Sequence, residues 1–329
     1  LNLANPIKLA NSEFRRKTTN TYNITLYAQY TISKNLTFKS TLGIDRNERV
    51  DRQFFDTLSP QSKSNNSRPF VILDTTIAKT LTNSNVLTYA FTPSKDHNFD
   101  FVLGEETLDI KTESHLNQNR NFPYYVTANY AFAHLDSGAA LPTYPRLNKS
   151  RSTQLSFFGR IGYNYKDKYL FSANLRMDGS SKFAPDKRWG YFPAGSVAWR
   201  LTKEKFLSNV TFLNEAKLRF GYGTMGNNRI GDYLYLNTFV NNTRFYGLNG
   251  QVVNAYVPSS LPNESLKWEA TVNRNWGLDL SMFKNRLNMS IDYYINSSKD
   301  LLLNVNIDPT YGFTSQLQNI GQTENKGWE

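Results

Sequence analysis

Apolar and polar residues alternate one by one along much of this chain, most regularly between Arg151 and Leu201. Leu155, Phe157, Gly159, Ile161, Tyr163 and Tyr165 form one set, and Ser156, Phe158, Arg160, Gly162 and Asn164 the other. Beyond Lys166-Asp167-Lys168 the alternation resumes, with Tyr169, Phe171, Ala173, Leu175 and Met177 set against Leu170, Ser172, Asn174, Arg176 and Asp178. A third run sets Gly195, Val197, Trp199 and Leu201 against Ala194, Ser196, Ala198 and Arg200. Successive strand side chains point to opposite faces of a sheet, so a period of two predicts strands. Runs of about ten residues exceed the usual length of globular strands and suit a tilted strand that crosses a bilayer.

The same pattern predicts a hairpin of Tyr22–Tyr30 with Leu36–Ile44, and another of Leu87–Phe91 with Phe99–Leu103. A strand over Ala216–Tyr222 and a hairpin of Val272–Leu280 with Leu287–Tyr293 follow. Residues 1–19 read as loop, and 46–83, 107–150, 224–268 and 297–325 as long excursions. Within them, Phe70–Leu73 and Thr75–Leu81 read as short strands, Tyr124–Leu135 as a short helix, and 202–215 as room for one helical turn. Short turns thus alternate with long loops, as in outer-membrane barrels with short periplasmic turns and long extracellular loops. Aromatics bracket the short turns, which is the placement of a membrane-interface girdle. The predicted fold is all-β: an antiparallel, transmembrane, up-and-down β-barrel of which about ten long strands are visible. A bilayer accepts no open sheet edge, so these strands either close a small barrel or belong to a larger one. A soluble β-sandwich shares the period of two and is the alternative.

Composition narrows the choice. No apolar run is long enough for a transmembrane helix. The mean hydropathy of −0.55 fits a barrel with apolar residues on only one face of each strand. There are no cysteines and only 3 histidines, widely spaced, which removes thiolate and His-rich metal sites. The formal net charge is +11, but the cations are scattered, so nucleic acid is not an expected partner. The N-terminal LNLANPIKLA lacks the layout of a signal peptide, so the chain is expected to begin within a protein or after signal removal.

No catalytic constellation, cofactor motif or metal site is expected. Asp178-Gly179-Ser180-Ser181 has no nearby histidine and reads as a turn. Glu105-Glu106 could offer oxygen ligands to a cation but reads better as solvated surface. Gly221-x-Gly223-x-x-Gly226 imitates a dinucleotide loop without the βαβ unit such a loop requires. Arg160, Arg176, Arg200 and Arg219 fall on the polar set and are expected to face a lumen or plug, paired with carboxylates or lining a solute path. Trp189, Tyr191, Phe192 and Trp268 lie near outer loop ends, where aromatics contact a substrate or partner or form the interface girdle.

Several segments together resemble the SusC/RagA-type TonB-linked outer-membrane transporters of Bacteroidota. They include Leu175-Arg176-Met177-Asp178-Gly179-Ser180-Ser181-Lys182-Phe183 and Arg188-Trp189-Gly190-Tyr191-Phe192-Pro193. Asn263-Glu264-Ser265-Leu266-Lys267-Trp268-Glu269, Ile291-Asp292-Tyr293-Tyr294, Asn319-Ile320-Gly321 and Asn325-Lys326-Gly327-Trp328-Glu329 complete the likeness. The resemblance implies a barrel of about 22 strands with an N-terminal plug. Residues 1–329 then read as one internal segment of that barrel, without plug, TonB box or closing strands. It further implies residence in the outer membrane, contact with its lipid, coupling to the TonB complex, and pairing with a SusD-like surface lipoprotein. The expected function is uptake of oligosaccharides, glycans or peptides, with no enzyme activity and no cofactor. A passive porin or adhesin-like barrel, or a soluble carbohydrate-binding β-sandwich, is the alternative.

Overall fold

A computed structural model describes residues 5–141 and 145–329. Helix α1 (Pro6–Ser12) leads into strands β1 (Glu13–Ser33), β2 (Leu36–Phe55), β3 (Phe70–Ser94) and β4 (His97–Arg120). Helix α2 (Ala128–Ala133) and the short β5 (Ala139–Ala140) precede β6 (Arg146–Tyr165), β7 (Tyr169–Ser180), β8 (Trp189–Arg200) and β9 (Leu213–Asn227). A hairpin of β10 (Phe239–Leu248) and β11 (Gln251–Pro258) separates β9 from β12 (Glu269–Met282) and β13 (Leu287–Lys299). A second hairpin, β14 (Leu302–Asn306) with β15 (Ser315–Asn319), precedes β16 (Gln322–Trp328).

The main sheet is antiparallel and follows chain order: β1-β2-β3-β4-β6-β7-β8-β9-β12-β13-β16, with β5 against β4. Its path ends at β1 and at β16 without closing, as expected of part of a barrel wall. The β6–β7 turn shows how the sequence sets the connection. Lys166 and Asp167 both take positive φ, 55° and 53°, and the Lys168 amide donates to the Tyr165 carbonyl at 3.0 Å. That is the type I′ geometry whose twist matches a hairpin.

Several expected boundaries move. The region 1–19 holds α1 and the start of β1 rather than loop. Strands β1 to β4 run for 21, 20, 25 and 24 residues, so much of 46–83 and 107–150 is strand. The two short strands expected at Phe70–Leu73 and Thr75–Leu81 are the beginning of β3. Backbone pairing needs no apolar alternation, so the ladders continue after the alternation has ended. The excursion 224–268 contains β10–β11, and 297–325 contains β14–β15 and the start of β16. The helix expected around Tyr124–Leu135 is α2, capped by Thr127, whose hydroxyl accepts from the Tyr130 amide at 3.5 Å. Two single 3₁₀ turns, Leu201–Lys203 and Lys205–Leu207, occupy the 202–215 linker.

The chain divides into two compact units. One comprises the described residues of Leu1–Leu26, Leu42–Thr82 and Asp109–Arg151. Its core is Phe54, Val71, Phe122, Val126 and Ala131, with Phe14 and Phe132 packed against it. The other comprises Tyr27–Thr41, Asn83–Leu108 and Ser152–Glu329. Its core is Phe183, Phe192, Leu266 and Trp268, enclosed by Ile230, Leu234, Leu302 and Leu317.

Within this second unit the register aligns residues of one kind across many strands. One row reads Tyr163, Phe171, Val197, Phe220, Trp276, Tyr293 and Trp328 from β6 to β16. The row beside it on the opposite face reads Asn164, Leu170, Ala198, Arg219, Gly277 and Asp292. The alternation of single strands is therefore kept in phase across the sheet, which gives it an apolar face and a polar face.

Candidate functional site

The polar face carries the four arginines singled out from the sequence, and each meets a carboxylate. Arg219 is the most heavily bonded. Its Nε and Nη2 donate to the two oxygens of Asp279, both at 2.8 Å, and Nη2 also reaches Asp292 at 3.0 Å and Ser290 at 3.2 Å. Lys217 adds a second cation to Asp279 at 3.0 Å. Gly277 lies opposite Arg219 in the register, and a Cβ there would come within 2.5 Å of the guanidinium carbon. A side chain at 277 would thus push the guanidinium off this position.

Arg176 donates through Nε to Asp178 at 2.8 Å and through Nη2 to Glu106 at 3.1 Å, over the ring of Phe158. Arg200 meets Asp167 at 2.6 Å and Glu215 at 3.3 Å, and Arg160 lies 3.7 Å from Asp100. A fixed fork of donors matched to carboxylates holds charge in place on a strand surface. These pairs hold cation and carboxylate together along the polar face of the sheet.

At the foot of the sheet, Glu204 accepts from the Tyr169 hydroxyl at 2.7 Å and the Trp199 indole at 3.0 Å, and meets Lys168 at 2.5 Å. The Lys168 ammonium and then the Tyr169 hydroxyl hold the Glu204 carboxyl below its ordinary range, and Glu204 in turn raises Lys168. The node fastens the 3₁₀ linker beneath the ends of β7 and β8.

The four aromatics expected near substrate or partner do not form one site. Trp189 and Tyr191 continue the apolar face of β8 and are 41% and 61% exposed. Phe192 points to the other face, opposite Arg176, and is 7% exposed; Trp268 is 8% exposed. Both belong to the core around Phe183, and the Trp268 indole donates to the Arg188 carbonyl at 2.8 Å.

Asp178 and Ser180 are not in a turn, as expected, but at the buried end of β7. Asp178 accepts from Arg176 and Gln154, and Ser180 from Asn228. Hydrogen bonding to a neighbouring loop keeps this stretch extended, a long-range contact that its turn-like composition does not reveal. Glu105 accepts from Asn85 while Glu106 pairs with Arg176, so the two carboxylates are drawn apart rather than converging on one ion. Among the described residues no three potential metal ligands cluster. Gly221, Gly223 and Gly226 lie within β9 rather than in a phosphate-binding loop.

Sequence reading missed the amide ties that close the second core. Asn263 donates to the Leu317 carbonyl at 2.8 Å, and Asn319 donates to Lys267 and Asp300 carbonyls at 2.9 Å each. Asn319 also accepts from the Lys267 amide at 2.9 Å. The asparagines were visible; their partners, distant in sequence, were not.

Residues 2–329 match the family described as TonB dependent receptor-like, beta-barrel. The chain belongs to that family. TonB-dependent receptor P3 of Formosa agariphila is 33% identical over 99% of this chain, which spans 32% of that protein. TonB-dependent receptor SusC of Bacteroides thetaiotaomicron is 40% identical over 55% of this chain and 18% of its own length. The chain thus spans about a third or less of the relatives it matches. Among solved structures, the RagAB peptide transporter superposes with a TM-score of 0.85 at 24% identity, over 97% of this chain and 34% of that one. That likeness establishes the fold. The family's barrels are outer-membrane transporters rather than enzymes.

Proposed function

We propose that this chain is a stretch of the barrel wall of an outer-membrane nutrient transporter energised through TonB. The carrying observation is the two-faced sheet: six aromatics and Val197 in one row, with a bonded Arg219–Asp279–Asp292 group on the face behind it. The apolar face meets lipid, where an arginine costs about 2–4 kcal/mol at mid-depth, and the polar face lines the lumen. A single sheet with aromatics left exposed along one face is not a packed sandwich. Membership in the TonB-dependent receptor family favours energised uptake over a passive porin or adhesin.

The cargo class proposed is oligosaccharide or peptide, in line with a SusC relative and a structural likeness to a peptide transporter. A SusD-like surface lipoprotein is the proposed partner on the outer loops. The test is uptake by cells carrying the complete gene, with labelled oligosaccharides and peptides offered in parallel. Uptake that requires the gene and stops on adding a protonophore supports the proposal. Uptake that persists with the protonophore supports the passive alternative.

A further inference from the structure

On β12 and β16 the apolar face is interrupted by positive charge, and one of the cations, Arg274, has no ion pair among the described residues. The row of Tyr222, Arg274, Ile295 and Lys326 lies directly beside the aromatic row of Phe220, Trp276, Tyr293 and Trp328. Arg274 has the face of Trp276, and Lys326 the face of Trp328, since each pair is two residues apart in unbroken register. Arg274 has no carboxylate partner among the described residues. Lys326 is 3.9 Å from Glu324 and is largely exposed. Lys299 lies on the same face two rows further along, so three cations face one carboxylate.

Height places these charges at a boundary. Arg274 stands on β12 nine positions before Phe283, in the short turn that follows this strand. At ~3.4 Å per residue and a tilt of ~40°, that is roughly 23 Å above the turn, close to the outer limit of an apolar band about 25 Å tall. Below the two cations the same face opens a groove of about 620 Å³, walled by Trp199, Leu218, Phe220, Trp276, Tyr293 and Trp328. An apolar groove capped by cations at the headgroup level is complementary to a lipid with acyl chains and an anionic phosphate.

We infer that Arg274 and Lys326 form a binding site for the phosphate of an anionic outer-leaflet lipid, whose acyl chain lies in the groove along Trp276, Tyr293 and Trp328. The inference rests on the proposed transmembrane barrel. Arginine and lysine next to lipid each favour an anionic headgroup, and a fork of guanidinium donors suits phosphate oxygens.

Native mass spectrometry of the full-length protein in detergent tests it, with dioleoylphosphatidylglycerol titrated against dioleoylphosphatidylcholine. The chains are identical, so only the headgroup differs. The expected result is roughly tenfold tighter retention of phosphatidylglycerol, abolished in the Arg274→Gln/Lys326→Gln double variant and kept in Arg274→Lys/Lys326→Arg. Inorganic phosphate added at the concentration of the lipid should not displace it, because the groove contributes to retention. Equal retention of the two lipids by the unmodified protein, or a preference unchanged in the double glutamine variant, overturns the site. Those results leave the barrel reading intact. A full-length protein that stays soluble without detergent and retains neither lipid overturns the barrel reading as well.

Discussion

Trp268 and Trp276 stand at the two ends of one short stretch and meet opposite surroundings. Trp268 is enclosed with Phe183, Phe192 and Leu266 beneath loops tied by Asn263 and Asn319. Trp276 lies 41% exposed in a row of mostly aromatic residues that no element among the described residues covers. The buried one meets Phe192 edge-on, at 5.5 Å and 69°, and Phe183 at a tilt of 44° and 5.4 Å. The exposed one meets its row neighbours Phe220 and Tyr293 at tilts of 50° and 35°, with centroids 5.4 and 5.9 Å away. The difference teaches that apolar residues in this molecule serve two solvents. One set excludes water by packing against protein, and the other is the set that meets lipid in the proposed barrel wall.

Removing each ring should separate the two roles most strongly. Trp268→Ala empties a closed core and should cost about 3–5 kcal/mol, seen as a lower unfolding midpoint and as protease cleavage within 228–268. Trp276→Ala should cost under about 1 kcal/mol in a bilayer, because lipid fills the space a protein core cannot. Comparable losses in both would break the distinction.

Charge gives the next largest effect. Leu278→Arg on the apolar face should destabilise the folded barrel by about 2–4 kcal/mol, measured as the heat-resistant folded fraction in membranes. Ser196→Arg on the polar face should stay within about 0.5 kcal/mol. On that polar face, Arg219→Leu leaves Asp279 and Asp292 without their shared cation and should cost about 1–2 kcal/mol, reduced by partial solvent access. Gly277→Ala should reproduce part of this loss by displacing the guanidinium.

The smallest effect is with pH. Glu204 is depressed by Lys168 and Tyr169, so its contribution is complete above the ordinary carboxylate value of roughly 4.3 and is lost as pH falls through the depressed value. Lys168 is raised by Glu204, so its contribution is complete below roughly 10.4 and is lost as pH rises through the raised value. Stability should therefore be level from about pH 5 to 10 on account of this pair. Glu204→Gln should flatten the acid-side decline in a pH series of unfolding midpoints.

The spanning part of the fold was legible because one rule governs it. Where lipid lies on one side and water on the other, every second residue must be apolar, and Leu155–Tyr165 and Tyr169–Met177 follow this, with Gly159 and Ala173 as the small members. The outer ends of β2, β3 and β4 obey no such rule, so they read as loop although their backbones pair. The arginines were placed on one face by parity alone, while their carboxylates came from other strands and needed the register. The aromatic quartet was the least legible. Trp189, Tyr191, Phe192 and Trp268 share composition and proximity to loops, yet the strand phase of β8 and the fold of 263–268 divide them between lipid-type and protein-type burial.

Ser196 and Val197 are adjacent on β8 and belong to opposite faces, and the chain has no cysteine. Single cysteines placed there in the full-length protein, in native outer membranes, can be treated with a charged, membrane-impermeant maleimide against unmodified protein as blank. The account predicts labelling of Ser196→Cys and protection of Val197→Cys until the membrane is dissolved and the protein unfolded. Equal labelling of the two, or labelling of Val197→Cys alone, would contradict the assignment of one face to water and the other to lipid.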